Sequence, residues 1–228
     1  MDLPEPYYQT EDCSQTIYCG DNREILPLID PILINLVIID PPYLITRGGS
    51  GLKGDFQYLQ KIRNAELDMG IDFSWLNEFS NWFCFCSRRQ LIDAISMAQI
   101  ANWMLLVWYK TNPVPLINNT YLPDCEYIVH KYSVGRLFGG FQDKSRLFVS
   151  SIGGKSKFDH PTIKPLALIE KLLILGSQSE EIILDPCLGS GTTLVACQRL
   201  KRKGIGIEIR EEYCEIAKKR LMERTLRK

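Results

Sequence analysis

One stretch of the sequence, Leu36–Tyr43, combines a short apolar run with a carboxylate, two prolines and an aromatic ring. A fully apolar run of this length is typical of a strand buried on both faces of a parallel sheet. Asp40 then lies at the carboxyl end of the strand, where open α/β sheets bind their ligands. Pro41 and Pro42 lack a backbone N–H and stiffen the turn, while their carbonyls remain acceptors. Tyr43 follows as a flat ring on this rigid turn.

These residue types could hold a planar amine. Asp40 and the carbonyl of Pro41 can accept the two hydrogens of an exocyclic amino group, and Tyr43 can stack on the ring that carries it. An ordinary strand that ends in a proline turn, with Tyr43 in the core, explains the same residues. The rest of the chain has to decide between these interpretations.

A second group of residues, near the carboxyl terminus, is typical of a nucleotide-binding turn. The strand Ile182–Asp185 leads into a loop that contains Gly189 and Gly191, and a helix follows. The glycines allow a ligand to approach the backbone, and the start of the helix offers free N–H groups. Glu208 ends the next strand, where a carboxylate can accept hydrogen bonds from both ribose hydroxyls. Because the loop is not G-x-G-x-x-G, a tight turn with a solvated Glu208 is an alternative.

Length and composition favour one large α/β domain that spans residues 1–228. The chain has 228 residues, and 45% of them are hydrophobic, which is enough for a sizeable core. No apolar run approaches the roughly 20 residues that span a bilayer, and the acidic, proline-containing amino terminus does not resemble a signal peptide. We therefore expect no membrane contact and a cytoplasmic location.

The cysteines are interpreted as free thiols, and no metal is expected. Eight cysteines and two histidines are present, without Cys-x-x-Cys pairs or clustered histidines, so the spacing of a structural zinc site is missing. The formal net charge is zero but unevenly spread. Residues 1–45 carry eight acids and one arginine, whereas residues 130–164 carry seven Lys or Arg and two Asp. A local basic face could therefore contact a polyanion.

Hydrophobic patterns predict alternating strands and helices along the whole chain. A glycine-rich segment, residues 46–54, is predicted to be a lid or a DNA-contacting loop, or simply a slack surface loop. The predicted strands are Thr16–Asp21, Leu36–Asp40, Trp82–Cys86, Trp103–Tyr109, Glu126–Tyr132, Ile182–Asp185 and Gly204–Glu208. The predicted helices are Asn22–Ile29, Gln57–Leu67, Ser87–Ala101, Leu166–Leu175, Leu194–Leu200 and Glu212–Arg224.

Taken together, the motifs resemble those of the DNA amino-methyltransferases that use S-adenosylmethionine. The matching signatures are Asp40-Pro-Pro-Tyr43, His160-Pro-Thr-x-Lys-Pro165 and Asp185-Pro-x-x-Gly-Ser-Gly-Thr-Thr193. The catalytic motif comes first and the cofactor loop last, which is the circularly permuted order of the family's β group. The resemblance implies a Rossmann-like, mostly parallel sheet of seven strands with helices on both faces. It covers nearly the whole chain from about Ile17, including Lys110-Thr-Asn-Pro113.

The resemblance also implies roles for individual residues. The catalytic residues would be Asp40, Pro41, Pro42 and Tyr43. The cofactor S-adenosylmethionine would be bound by Asp21, Asp40, Thr162, Lys164, Pro165, Asp185, Pro186, Gly189, Ser190, Gly191, Thr192 and Glu208. Within this set, Glu208 would hold the ribose and Asp21 would lie near the adenine ring. Cys187 departs from the family, which usually has Phe at that position.

The implied reaction is methylation of the N6 amino group of an adenine flipped out of double-stranded DNA, as in restriction–modification systems. N4-cytosine methylation is the nearest alternative; an Asp at position 40 favours adenine, because Ser is commoner there in cytosine enzymes. A non-catalytic, cofactor-binding DNA-binding protein and a nicotinamide dehydrogenase are further alternatives. Cys187 follows a proline, as the nucleophile of C5-cytosine methyltransferases does, but it lies in the cofactor loop instead of at the catalytic strand.

Residues 112–160 are predicted to be the target-recognition insertion, because the family group carries recognition there and the segment is basic and aromatic. Phosphate contacts need Lys or Arg side chains. The candidate DNA-binding residues are Arg47, Lys53, Arg136, Lys144, Arg146, Lys155 and Lys157. Since the chain has little room for a separate recognition domain, a homodimer that supplies further DNA-binding surface is also predicted.

Overall fold

A nine-stranded mixed sheet forms the centre of the protein in the described residues of the computed structural model, which are 2–42, 74–98, 102–113, 121–152 and 163–225. Apolar, partly β-branched runs form most of these strands, as their sequence predicts. In chain order the strands are β1 (Tyr8–Gln9), β2 (Gln15–Cys19), β3 (Leu36–Ile39), β4 (Trp82–Cys86), β5 (Asn102–Lys110), β6 (Cys125–Tyr132), β7 (Leu147–Ser150), β8 (Ile182–Asp185) and β9 (Lys203–Glu208).

The strands lie in the order β1-β2-β9-β8-β3-β4-β6-β5-β7. The five strands from β2 to β4 are mutually parallel, and β6 is antiparallel to its two neighbours, β4 and β5. The seven strands from β2 to β5 therefore form the mostly parallel, permuted sheet that the resemblance implied. The described residues add one short strand at each edge: β1, antiparallel to β2, and β7, parallel to β5.

Helices cover both faces of this sheet, as expected. The helices are α1 (Asn22–Ile25), α2 (Leu91–Ala98), α3 (Leu166–Gly176), α4 (Thr192–Arg199) and α5 (Glu211–Thr225). Among the described residues, none of these helices is long and apolar enough to cross a bilayer.

Alternate residues of the central strands pack into two different core layers. In β3, Val37 and Ile39 join one cluster with α1 and α2, while Leu36 and Ile38 join the other with α3 and α4. All four side chains are fully buried. This arrangement explains why the strand is a continuous apolar run instead of an alternating one.

Most elements agree with the sequence prediction, and the differences have local reasons. The first helix ends at Ile25 and continues as a 3-10 helix, Leu26–Leu28, because Pro27 lacks the N–H that an α-helix needs there. Strands β1 and β7 were missed, since one has two residues and the other lies in a segment without a clear period. Residues 46–54 and 57–67 lie outside the described part of the chain.

The predicted insertion, residues 112–160, is not wholly separate from the core sheet. Within it, β6 pairs along its length with β4 on one side and β5 on the other. A strand with partners on both sides is a structural part of the fold. Only the parts of 112–160 outside β6 and β7 can therefore be an insertion.

Buried polar groups tie the amino-terminal ends of the central strands together. The amide of Asn81, just before β4, donates to the carbonyls of Asn35 (3.0 Å) and Gly176 (2.8 Å). Its oxygen lies 3.2 Å from Nε2 of His130, whose ring stacks on Phe83 at 3.8 Å between centroids. Burial lowers the pKa of His130 to about 3, so this imidazole is neutral. The network links β3, β4, β6 and α3.

Replacing Asn81 by Ala should lower the free energy of unfolding by about 1–3 kcal/mol, because buried polar partners lose their hydrogen bonds. Urea unfolding followed by circular dichroism measures this change. Asn102→Ala, at an exposed position of β5, is the matched control and should have little effect. Equal effects of the two substitutions would contradict a structural role for the Asn81 network.

Candidate active site

Four acidic side chains lie at the carboxyl ends of four consecutive parallel strands. Asp21 follows β2, Glu208 ends β9, Asp185 ends β8 and Asp40 follows β3. These strands are neighbours in the sheet in that order. Because parallel strands end at the same edge, the fold brings together acids that are far apart in the chain.

The glycine turn between β8 and α4 is shaped by its backbone. Gly189 and Gly191 have φ values of 53° and 80°, in the left-handed region that favours glycine. The N–H of Gly189 donates to Glu208 Oε2 at 2.7 Å, which fastens the turn to the end of β9. A Cβ atom on Gly191 would lie 2.6 Å from the Cβ of Ala217, so this glycine also permits close packing of α5.

Two of the acids are deeply buried, and their pKa values are raised. Asp185 is 5% exposed and Glu208 is 8% exposed. Burial raises the pKa of Asp185 to about 7, and the nearby charges of Asp40 and Glu208 add to this rise, although hydrogen bonds from Thr193 and Cys187 oppose it. Burial also raises the pKa of Glu208. A ligand with positive charge and hydroxyl donors would relieve this excess of buried negative charge.

Asp40 belongs to a chain of alternating charges. Lys164 Nζ lies 2.6 Å from Asp40 Oδ2 and 3.4 Å from Glu126 Oε2. Lys110 Nζ lies 2.6 Å from the other oxygen of Glu126. Burial lowers the pKa of Lys164, but the carboxylates of Asp40 and Glu126 more than offset this, so the net shift is upward.

The proline turn after β3 is braced by a side chain from the next strand connection. Gln90 donates from Nε2 to the carbonyl of Pro42 at 3.0 Å. Its oxygen accepts a hydrogen bond of 2.7 Å from the Ser87 hydroxyl. The turn that carries Pro41 and Pro42 is therefore fixed from one side. Tyr43, the fourth predicted catalytic residue, lies outside the described residues.

Sequence comparison relates the chain to DNA methylases. The DNA methylase family model (N6_N4_Mtase) matches residues 142–219. The type II methyltransferase M2.LlaDCHI of Lactococcus lactis subsp. cremoris is 27% identical over 96% of this chain and 93% of that protein.

Solved structures of DNA methyltransferases have the same fold. The M1.HpyAVI complex with S-adenosylmethionine has a TM-score of 0.67 and 28% identity over 90% of this chain and 99% of its own. The cytosine-N4-specific PvuII DNA methyltransferase has a TM-score of 0.68 over 95% of this chain and 88% of its own, with 16% identity. The strand order, the motif order and these similarities agree. These similarities support an S-adenosylmethionine-dependent DNA amino-methyltransferase.

The residues at the strand ends suit S-adenosylmethionine, the cofactor that these similarities imply. S-adenosylmethionine carries a sulfonium, an ammonium and two ribose hydroxyls. The buried acids Asp185 and Glu208 offer negative charge and acceptor oxygens, and the turn through Gly189 and Gly191 leaves the backbone accessible. These residues, together with Ser190 and Thr192, would hold the cofactor at the ends of β8 and β9.

Several predicted cofactor residues of the amino-methyltransferase have protein partners. Asp21 caps α1 and forms an ion pair with Arg23. Pro186 accepts a hydrogen bond of 3.0 Å from Asn22 through its carbonyl. Lys164 contacts Asp40, and Pro165 directly precedes α3. Thr162 lies outside the described residues, and the cofactor roles of the whole set remain predictions.

The structure separates some predicted DNA-binding residues from this site. Arg136 pairs with Glu181 through two hydrogen bonds and donates to the carbonyl of Asn35, at the opposite, amino-terminal ends of β8 and β3. This location argues against the predicted DNA contact. Lys144 and Arg146 are exposed but precede β7, toward the same far edge. Arg47, Lys53, Lys155 and Lys157 lie outside the described residues.

Sequence reasoning missed four residues around the site: Lys110, Glu126, Gln90 and Arg220. Arg220, on α5, donates to the Ser190 hydroxyl (2.9 Å) and the Thr192 hydroxyl (3.0 Å). The helical spacing from the buried Tyr213 and Ala217 could have indicated this inward position.

Cys187 has the properties of an inert thiol. Burial raises its pKa well above the usual value, and the charges of Asp185 and Glu208 raise it further. Its sulfur accepts a long contact of 3.6 Å from Asn22. Since a thiolate is needed for nucleophilic attack, this environment disfavours a covalent mechanism through Cys187. Among the described residues, no group of three or more His, Cys, Asp or Glu side chains is arranged to hold a metal ion.

The affinity for S-adenosylmethionine should increase between about pH 6 and about pH 7.5, because a cationic ligand favours the ionised form of Asp185. Calorimetry at several pH values measures the affinity, and binding near neutral pH should release protons. Asp185→Asn should weaken binding and remove much of this pH dependence.

The same substitution should raise the melting temperature of the ligand-free protein at about pH 8. The pKa of Asp185 is raised in the folded state, so its ionisation destabilises the fold as the pH rises toward 7, and Asn does not ionise. A melting temperature that falls in Asp185→Asn would contradict the raised pKa.

Arg220→Met should weaken S-adenosylmethionine binding by about tenfold, or about 1.4 kcal/mol, since the glycine turn loses its charged donor. The turnover rate at saturating cofactor should change little. Lys219→Met is the matched control, because Lys219 is next to Arg220 in the sequence but its side chain pairs with Glu215 at the surface. Equal affinities of the two variants would argue against a role of the Arg220 contacts with Ser190 and Thr192 in cofactor binding.

Proposed function

We propose that this DNA amino-methyltransferase transfers the methyl group of S-adenosylmethionine to the N6 amino group of an adenine in double-stranded DNA. The relatives with which it aligns almost end to end are named type II methyltransferases. We infer the same class for this chain. A companion restriction enzyme follows from that class as a further prediction.

The observation that carries this proposal is the adjacency of the two motifs. Asp40 follows β3, and the glycine turn follows β8, and these strands pair directly through Leu36 with Ile183 and Val37 with Leu184. An acceptor for an amino group and a cradle for a cationic cofactor are thus neighbours at one edge. A reaction between the two ligands requires this proximity.

The side chains supply positioning and charge. The lone pair of an aromatic amine is delocalised into its ring, so the amine is a poor nucleophile. When bound, S-adenosylmethionine supplies a methyl group on a sulfonium, which is a good leaving group. Asp40 and the carbonyl of Pro41 would accept the N–H hydrogens and draw the nitrogen toward tetrahedral geometry. Asp40 would also receive the proton that the amine loses.

Tyr43 is proposed to stack on the extruded base, because the target amine is inaccessible inside a duplex. The parts of residues 112–160 that flank β6 are proposed to recognise the target sequence. Lys155 and Lys157 in that range, and Arg47 and Lys53 in the loop after the catalytic motif, remain the proposed phosphate contacts. A homodimer that enlarges this surface stays a prediction.

N4-cytosine methylation is the second candidate, because the PvuII enzyme, named as cytosine-N4-specific, has a similar fold. The same pocket chemistry could act on either amine. The residue that favours adenine is Asp40, since Ser at this position is commoner in the cytosine enzymes of the family.

Identification of the methylated nucleoside tests the proposal. The purified protein should be incubated with unmethylated double-stranded DNA and S-adenosylmethionine, and the DNA digested and analysed by mass spectrometry. N6-methyldeoxyadenosine is the expected product. N4-methyldeoxycytidine instead would establish the second candidate, and no methylated nucleoside would exclude both.

Asp40→Asn tests the role of the carboxylate. The rate should fall by about 10²–10⁴-fold, because the amide neither carries the charge nor accepts a proton readily. The affinity for S-adenosylmethionine, measured by calorimetry, should stay within about threefold. Undiminished methyl transfer by this variant would refute the assignment of Asp40.

A further inference from the structure

We propose that Lys164, held between Asp40 and Glu126, is a positioning residue that fixes the Asp40 carboxylate toward the target amine. This inference rests on the proposed function and assigns Lys164 to the catalytic carboxylate instead of to the cofactor. Glu126 and Lys110 complete the device, since they hold Lys164 in place.

The need for such a residue follows from the proline turn. Each of the other acids at this edge accepts the backbone N–H of the residue two positions later. Asp21 accepts from Arg23 (2.9 Å), Asp185 from Cys187 (3.1 Å) and Glu208 from Arg210 (2.9 Å). These short local bonds fix the direction of a carboxylate at the end of a strand.

Asp40 cannot use this local bond, because the residue two positions later is Pro42. The residue between them is also a proline, so neither position of the turn offers an N–H. Among the described residues, the ammonium group of Lys164 donates to Asp40 Oδ2 at 2.6 Å. A distant side chain thus performs the orienting function that the backbone performs for the other three acids.

The surroundings of Lys164 distinguish this contact from a surface ion pair. Its side chain is only 9% exposed, and those of Glu126 and Lys110 are 16% and 12% exposed. The ammonium lies 4.9 Å from the centroid of the Phe85 ring, close enough for a cation–π contact. Buried charges persist when they are paired, so the arrangement is a rigid one.

The charge of Lys164 also favours the ionised form of Asp40. Among the described residues, Asp40 also interacts electrostatically with Asp185 on β8, Cys84 on β4 and Cys187 in the glycine turn, all of which are acids. A neutral residue at position 164 would remove this cation from Asp40 and leave the carboxylate beside these acids, which disfavours its charged form. Activity that needs the carboxylate would then require a higher pH.

Lys164→Met and Lys164→Arg test this device against wild-type enzyme. Met should lower kcat by about 10²-fold, because a small misplacement of a reacting group costs about that factor. The acidic limb of the kcat profile should move to higher pH. The affinity of the variant for S-adenosylmethionine in the absence of DNA, measured by calorimetry, should stay within about threefold of the wild-type value. Arg keeps a charged donor and should restore most of the rate and the wild-type pH profile.

Lys131→Met is the matched control. Lys131 is a buried lysine on β6, the strand that also carries Glu126. Its ammonium donates to the carbonyl of Phe79 at the far end of the strand. It should lower the melting temperature without moving the pH profile. Lys110→Met should act in the same direction as Lys164→Met but more weakly, and it keeps the proposal testable if Lys164→Met does not fold.

Two results would overturn the proposal. A loss of S-adenosylmethionine affinity of about tenfold or more in Lys164→Met, with kcat unchanged at saturating substrates, would make Lys164 a cofactor ligand. An unchanged pH profile in both Lys164→Met and Lys110→Met would make the network purely structural. Both results presuppose an active wild-type enzyme, so they differ from a failure of the proposed function, in which wild type methylates no adenine.

Discussion

The parallel pairing of β3 with β8 is the interaction on which the site depends. It joins the proline motif and the glycine turn, which lie in distant parts of the chain, at one edge of the sheet. Both strands are apolar on both faces and buried between helices, so hydrophobic burial fixes their position and register. The chemistry of the edge is thus a consequence of the packing of the core.

This edge concentrates negative charge, and its balance explains much of the local structure. Four strands end in acids, and burial without enough cations raises the pKa values of Asp185 and Glu208. Around Asp40 the balance differs, because Lys164, Glu126 and Lys110 supply alternating charges. The edge therefore has a neutralised half near the proposed catalytic residue and an acidic half that suits a cationic cofactor.

The backbone accounts for this difference between the two halves. Where an ordinary residue follows the acid by two positions, its N–H orients the carboxylate locally. Where prolines follow, rigidity of the turn and free carbonyl acceptors are gained, but the local donors are lost. The orientation of Asp40 then depends on residues from β5, β6 and the segment before α3. The two prolines stiffen the turn and also remove its N–H donors, so the rigid turn requires charged donors from remote parts of the chain.

The sequence by itself was enough to predict the succession of strands and helices along the chain, the fold class and the places of the two main motifs, because their signals are local. Apolar runs, proline turns and glycine turns are set by neighbouring residues, and the motif order carried the resemblance to the family. The sequence missed β1 and β7, whose signals are short or aperiodic, whereas the strand β6 was predicted as Glu126–Tyr132.

Only the tertiary structure decided which side chains share the edge. Glu126 lies near the start of an antiparallel strand and Lys110 at the end of its partner, and only the pairing of β5 with β6 brings both beside Lys164. The same holds for two arginines: Arg136, predicted to contact DNA, pairs with Glu181 at the far edge, and Arg220 donates to the glycine turn. Charge counts along a chain do not specify such contacts, because long-range packing determines which charges become neighbours.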